Sequence, residues 1–156
     1  MYESSGADKI PLDELSLENQ LCFALYAATR SITKAYRQKL EPLGLTYPQY
    51  LVLIVLWETD GLTVSEIGER LMLDSGTLTP LIKRLENMEF VNRVRNKKDE
   101  REVQIWLTDK GREMRPDLQD ARCYVVKRLN MSEEDILDMR HELMGVIEQL
   151  SQTTKK

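Results

Sequence analysis

Cysteine is scarce in this chain of 156 residues: only Cys22 and Cys123 occur, about a hundred residues apart. Two thiols cannot build a disulfide scaffold, and no CxxC or Cys/His cluster offers four metal ligands. Histidine is rarer still. His141 stands alone on a charged helical stretch, where solvent is its expected surrounding. No apolar run approaches the roughly 18 residues needed to cross a bilayer. Residues 1–12 carry Glu3, Asp8 and Lys9 but no apolar signal core, so a soluble cytoplasmic protein without membrane contact is expected. Internal repeats and low-complexity stretches are also missing, and nothing requires a cofactor.

An excess of positive charge is lacking as well. The net charge is −4, which for the whole chain argues against a nucleic-acid surface. The distribution says more than the sum. Between residues 83 and 101, Lys83, Arg84, Arg93, Arg95, Lys97, Lys98 and Arg101 face only Glu86, Glu89, Asp99 and Glu100, a local excess of +3. A basic island on an acidic body is either a phosphate-binding face or a solvated hairpin.

The apolar pattern predicts a long helix over 13–40, with Leu21, Leu25, Ala28, Ile32 and Ala35 as a narrow seam suited to another helix. Pro42 and Gly44 stop it. A second helix opens near Thr46 and Pro48, is apolar nearly all round through Trp57, and ends at Asp60-Gly61, which places it centrally. Thr63 and Glu66 form a capping box for a short helix to about Met72. The tight turn Asp74-Ser75-Gly76-Thr77 leads into a helix with Leu78, Leu81, Ile82 and Leu85 on one face. Local rules would start that helix at Thr79 and Pro80.

The period then changes. Phe90, Val91 and Val94, with Val103, Ile105 and Leu107, predict two short strands joined by the polar loop 96–101. Thr108 caps a further helix to about Leu129, which Pro116 should kink or interrupt. Ser132 caps the last, whose seam is Ile136, Met139, Leu143, Val146/Ile147 and Leu150. Trp57 is expected in the core and Trp106 in the second strand. The fold class is therefore mainly α with a small β-hairpin. Residues 46–107 would be a winged helix-turn-helix lobe, and 13–43 with 108–151 dimerisation helices, in one domain.

A helix about 10 Å across fits the DNA major groove, and a basic hairpin tip can reach the backbone or minor groove beside it. Ser75, Thr77, Thr79, Lys83 and Arg84 are the candidates on the second helix of the motif, with Lys97, Lys98 and Arg101 on the wing. For Ser75 and Thr77 simple capping is the competing role, and for Lys83 and Arg84 a solvated helix face.

The stretch Asp99-Glu100-Arg101, then Leu107-Thr108 and Gly111, resembles the D-x-R…L-T-x-x-G wing signature of the MarR family of bacterial regulators. Wider similarity runs through Leu21–Tyr26, Leu45–Leu53, Gly61–Val64 and Leu73–Pro80, and is to the organic hydroperoxide resistance repressors of that family. It spans roughly residues 15–112. The resemblance implies a homodimer bound to pseudo-palindromic double-stranded operator DNA, with organic hydroperoxide as inducer. It also implies a recognition helix starting near Ser75, Arg101 as the wing arginine and Asp99 orienting it. Cys22 would be the peroxide-reactive thiol, Tyr36 and Tyr47 would hydrogen-bond its sulfur, and Tyr26 would line the pocket. A resolving cysteine on the corresponding later helix would make Cys123 the partner in an intersubunit disulfide.

Spacing adds one constraint. Fourteen residues separate Cys22 from Tyr36, about 21 Å along a helix axis at ~1.5 Å per residue, so a meeting needs a second, antiparallel copy. Three other functions are weighed at this level: a regulator of the same family released by a small aromatic ligand, a thiol peroxidase using both cysteines, and a helical interaction protein without DNA binding, against which the basic hairpin and the order of motifs argue. A peroxidase would leave the wing without purpose, so the expectation is a regulator and not an enzyme.

Overall fold

The computed structural model describes residues 15–153, and the elements run helix, helix, helix, helix, hairpin and then helices to the end. The first two residues of the long helix expected over 13–40 lie outside them. Within them, Gln20 adopts extended backbone (φ −87°, ψ 98°) after a 3-10 turn at Leu17–Asn19, so α1 starts only at Leu21 (Leu21–Leu40). Pro42 sits in a second 3-10 turn and Gly44 takes φ 74°, which stops the helix as expected.

Helix α2 (Tyr47–Glu58) opens with Thr46 and Gln49 bonded reciprocally, the Thr46 N–H donating to Gln49 Oε1 at 2.9 Å. It buries Tyr50, Val52, Leu53, Val55 and Leu56, and its apolar surface all round is explained by its central place. The Thr63–Glu66 capping box starts α3 (Val64–Leu71), which Met72 ends in the left-handed region at φ 57°.

Helix α4 spans Ser75–Asn87. Asp74 is its N-cap, accepting from the Thr77 N–H at 2.8 Å, so the start implied by the resemblance holds and the Thr79–Pro80 start does not. A carboxylate cap with a free first turn outweighs the single backbone donor that Pro80 removes inside the helix.

The hairpin is β2 (Val91–Arg95) and β3 (Val103–Leu107), paired from Val91 opposite Leu107 to Arg95 opposite Val103. A third strand, β1 (Leu62–Thr63), pairs antiparallel with β3 and gives the order β1-β3-β2. Two residues running directly into a capping box are too short to show an alternating pattern.

Thr108 caps α5 (Asp109–Glu113), and the chain turns at Met114 into α6 (Arg115–Leu129), with Pro116 in the first turn. The expected interruption is thus complete. Helix α7 (Glu133–Thr153) is capped by Ser132.

The core runs from the C-terminal half of α1 through α2 into α3, α4, the sheet and α6. Leu40, Leu53, Leu56, Ile67, Leu78, Ile82, Leu85, Ile105 and Leu118 are essentially sealed. Each such side chain contributes about 1.5–3 kcal/mol on burial. Helix α7 has no buried residue among those described, and Leu137, Met139 and Leu150 lie open on it. The N-terminal half of α1 is equally bare, with Leu21, Phe23 and Tyr26 exposed.

Candidate nucleic-acid interface and sensor site

Two faces carry the residues singled out by the sequence. The first is built on α4 and the wing. Ser75, Thr77, Thr79, Lys83 and Arg84 are all exposed on α4. Asp74 takes the capping role: its carboxylate accepts from the backbone N–H of Thr77 and from its hydroxyl at 3.1 Å. Those bonds, backbone first, hold the Asp74 carboxyl below its ordinary value of 3.8. Ser75 is therefore the first helical residue and not a cap. Thr79 turns its hydroxyl onto the Ser75 carbonyl at 2.7 Å.

In the wing, Lys97, Lys98, Asp99 and Arg101 are exposed at the turn between β2 and β3. Asp99 Oδ1 accepts from the Arg101 backbone N–H at 3.0 Å, so Asp99 orders the backbone beneath Arg101. Asn96 ties the base of the turn together, donating to Glu102 Oε2 at 2.6 Å and accepting from Lys98 N–H at 3.0 Å. Arg93 pairs with Glu86 at 3.2 Å and fastens the wing to α4. Among the described residues Lys83, Arg84, Arg95, Lys97, Lys98 and Arg101 have no ion pair. The basic island is thus mostly unneutralised, which is what contact with phosphates needs.

The lobe is pinned to α5 by a group of bonds. Asp60 accepts from the N–H of Gly61 (3.0 Å) and of Leu107 (2.8 Å), and pairs with Arg112 at 2.9 Å. The Trp57 indole donates to the Gly111 carbonyl at 3.2 Å, and the Thr108 hydroxyl to Glu89 at 2.6 Å. Asp60 and Asn96 had shown only as a helix stop and a loop residue. Their polar types beside Gly and Lys were the available signal.

The second face is a tyrosine cluster. Tyr36 from α1 and Tyr47 from α2 meet with ring centroids 4.9 Å apart, and Tyr50 joins them at 5.2 and 5.6 Å. Tyr50 escaped notice because it stands inside an apolar run. Burial first, and the neighbouring phenols second, push the Tyr47 and Tyr50 hydroxyls above the ordinary tyrosine value, so both are neutral donors at physiological pH.

Neither cysteine touches this cluster in its own chain. Cys22 is exposed at the start of α1, fourteen residues before Tyr36. Tyr26, one turn beyond it, is 61% exposed under the Arg30 guanidinium, 5.5 Å above its ring. Cys123 is exposed on α6, two residues from each of the buried Ala121 and Val125 and hence on the opposite face. Its neighbour Tyr124 bonds to Gln38 on α1 and lies between Lys39 and Arg128. His141 is exposed, and among the described residues no group of His, Cys, Asp or Glu could hold a metal ion. No described helix is long and apolar enough to cross a membrane.

Two short helices, a tight turn and a following antiparallel wing define a winged helix-turn-helix protein. A family described as transcriptional regulator SarA/Rot matches residues 34–118. The organic hydroperoxide resistance transcriptional regulator of Bacillus subtilis (strain 168) is 44% identical over 140 residues, covering 90% of this chain and 95% of that protein. The HTH-type transcriptional regulator TtmR of Methylorubrum extorquens (strain PA1) is 63% identical over 100 residues, 64% of this chain but only 51% of that relative. Among solved structures, reduced AbfR bound to DNA superposes with a TM-score of 0.75 at 36% identity, covering 90% of this chain and 96% of that one. Disulfide-formed AbfR superposes with 0.62 at 35% identity, over 90% and 93%.

The chain belongs to the MarR family of transcriptional regulators. It is a regulator and not an enzyme, which removes the thiol peroxidase alternative.

Proposed function

We propose that the chain is a redox-sensing transcription repressor. It binds pseudo-palindromic operator DNA as a reduced homodimer in the cytoplasm and is released when an organic hydroperoxide oxidises Cys22. The observation that carries this reading is the separation of the two halves of the sensor. The Tyr36–Tyr47 cluster lies about 21 Å from Cys22 of the same chain at ~1.5 Å per residue, while Cys22 sits among exposed Leu21, Phe23 and Tyr26. A second copy antiparallel to the first brings each Cys22 to the tyrosines of the partner subunit and covers the bare faces of α1 and α7. Residues 46–107 then serve as the DNA-binding lobe, and the helices of 13–43 and 108–151 as the dimerisation arms.

Ser75, Thr77, Thr79, Lys83 and Arg84 meet the major groove. Lys97, Lys98 and Arg101 reach the backbone and minor groove from the wing, with Asp99 beneath Arg101. At the sensor, neutral phenols donate to the Cys22 sulfur and favour its thiolate. The thiolate attacks one peroxide oxygen: the O–O bond breaks, an S–O bond forms, and the alcohol leaves with a proton taken from solvent. The sulfur is oxidised to Cys-SOH. The thiolate of Cys123 of the partner subunit displaces the hydroxyl, which leaves as water after protonation, and an S–S bond forms. Within one chain the two thiols stand on well-separated parts of the molecule, which favours the intersubunit bond. Cys123 is next to Tyr124, which bonds to Gln38, and Gln38 is sixteen residues (~24 Å) from Cys22, whereas a disulfide holds its Cα atoms within roughly 7 Å. The strain pulls on α1 and changes the spacing of the two recognition helices, so both half-sites cannot be engaged together.

A second reading, release by a small aromatic ligand, is favoured by the open cleft lined by Thr33, Arg37, Tyr47 and Arg84 between α1 and α4. The deciding experiment is a binding titration on the gene's own upstream fragment, first reduced and then with an organic hydroperoxide. Binding lost on oxidation and restored by dithiothreitol is expected. Binding indifferent to peroxide, or a Cys22→Ser variant that still responds, overturns the redox reading.

A further inference from the structure

Three exposed acids flank the wing arginine in sequence: Asp99 and Glu100 before Arg101, and Glu102 after it. Asp99 and Glu102 line one cleft with Arg101, next to Thr63, Val64 and Ser65 at the start of α3. An exposed guanidinium among such carboxylates would ordinarily pair with one of them. Arg101 does not: among the described residues it has no ion pair and no side-chain hydrogen bond.

The two acids that line the cleft are engaged inside the wing, while Glu100 lies outside that lining and, among the described residues, has no ion pair. Asp99 accepts from the Arg101 backbone N–H at 3.0 Å with its carboxylate, and from the Glu102 N–H at 3.0 Å with its carbonyl. Glu102 Oε2 takes the amide of Asn96 at 2.6 Å. The other end of that amide accepts from Lys98 N–H at 3.0 Å, while the Asn96 N–H donates to the Glu102 carbonyl at 2.9 Å. Asn96 is half-buried and spans both sides of the turn, so its geometry is fixed before any ligand arrives.

We propose that Asn96 is a positioning residue of the DNA contact: by holding the Glu102 carboxylate it leaves the Arg101 guanidinium unpaired for the nucleic acid. The inference rests on the DNA-binding reading above. Without Asn96, Glu102 turns to Arg101, and an internal ion pair must open before Arg101 can reach DNA. The loss is set by what such an exposed pair is worth, about two- to fivefold in affinity.

The test compares Asn96→Ala, Glu102→Gln and the double variant with the unaltered protein, by titration of the upstream fragment at fixed salt. Asn96→Ala should bind about two- to fivefold more weakly. The double variant should bind as Glu102→Gln alone does, because the Glu102 charge that Asn96 restrains is absent from both. A general weakening of the wing would instead let the two effects multiply, and that result overturns the proposal. A second arm needs no DNA: hydrogen exchange at the Arg101 Nε–H, followed by 15N NMR. It should slow in Asn96→Ala and recover in the double variant. Exchange unchanged by Asn96→Ala overturns the proposal even if the fragment is bound. An unaltered protein that ignores the fragment brings down the DNA-binding reading, and leaves this arm to decide separately whether Asn96 restrains Glu102.

Discussion

Cys22 and Tyr36 share helix α1 yet stand fourteen residues apart, one exposed at its start and the other buried near its end. No side chain closes a gap of about 21 Å, so a sensor that uses both must be assembled in trans. A mixed dimer tests this. Cys22→Ser chains paired with Tyr36→Phe chains contain one site with both native residues and one with neither. We expect each homodimer to be oxidised slowly or not at all at Cys22, while the mixed dimer regains a fast phase amounting to about half the sites. A mixed dimer as slow as the Tyr36→Phe homodimer would place the two residues in separate roles.

Gly111 marks the tightest approach between the lobe and α5. A Cβ there would come within 2.2 Å of the Phe90 carbonyl oxygen, a backbone atom that cannot swing aside. Gly111→Ala should cost about 1–3 kcal/mol, read as a lower urea midpoint with an unchanged slope. An unaltered midpoint would mean that α5 is free to shift.

The cap on α4 gives a pH dependence of known sign. Hydrogen bonds from Thr77 lower the folded-state value of Asp74 below the ordinary 3.8. Their contribution is therefore fully present above that value and fades as pH falls through the depressed one. An Asp74→Asn variant keeps a capping side chain without the charge. The stability gap between the two proteins should be constant from pH 7 to about 5 and shrink below pH 4. A gap that widens on acidification would contradict the assignment.

Arg101→Ala separates phosphate contacts from base reading. If Arg101 meets the backbone or minor groove, its loss should weaken all sequences and flatten the dependence of log K on log salt by about one. An unchanged salt slope would remove Arg101 from the interface.

The readable parts of the fold were those written in local chemistry. Thr63 with Glu66, and Ser132 with Asp135, announced helix starts that the structure keeps. Pro116 announced the break before α6. Pro80 misled, because a proline suited to a first turn lies well inside α4, and Asp74 six residues earlier sets the start. Strand β1 was invisible because its partner β3 is some forty residues away. The candidate site divides the same way. Exposed residues such as Arg101 and Lys83 could be named from type and context, and Cys22 only through the family resemblance. Asp60 acts through Leu107, far along the chain, and Tyr50 through a ring on another helix, while Asn96 acts across a tight turn; pairings of these kinds leave no periodic trace.

Helix α7 draws almost nothing from its own chain: twenty-one residues of helix with an open apolar stripe and no buried side chain among those described. Its order then depends on mass action. On the dimer reading, melting temperature should climb with protein concentration, since each doubling favours the associated state. A newly made copy at low abundance is least stable when alone, so the amount of regulator in a cell and its lifetime become coupled quantities.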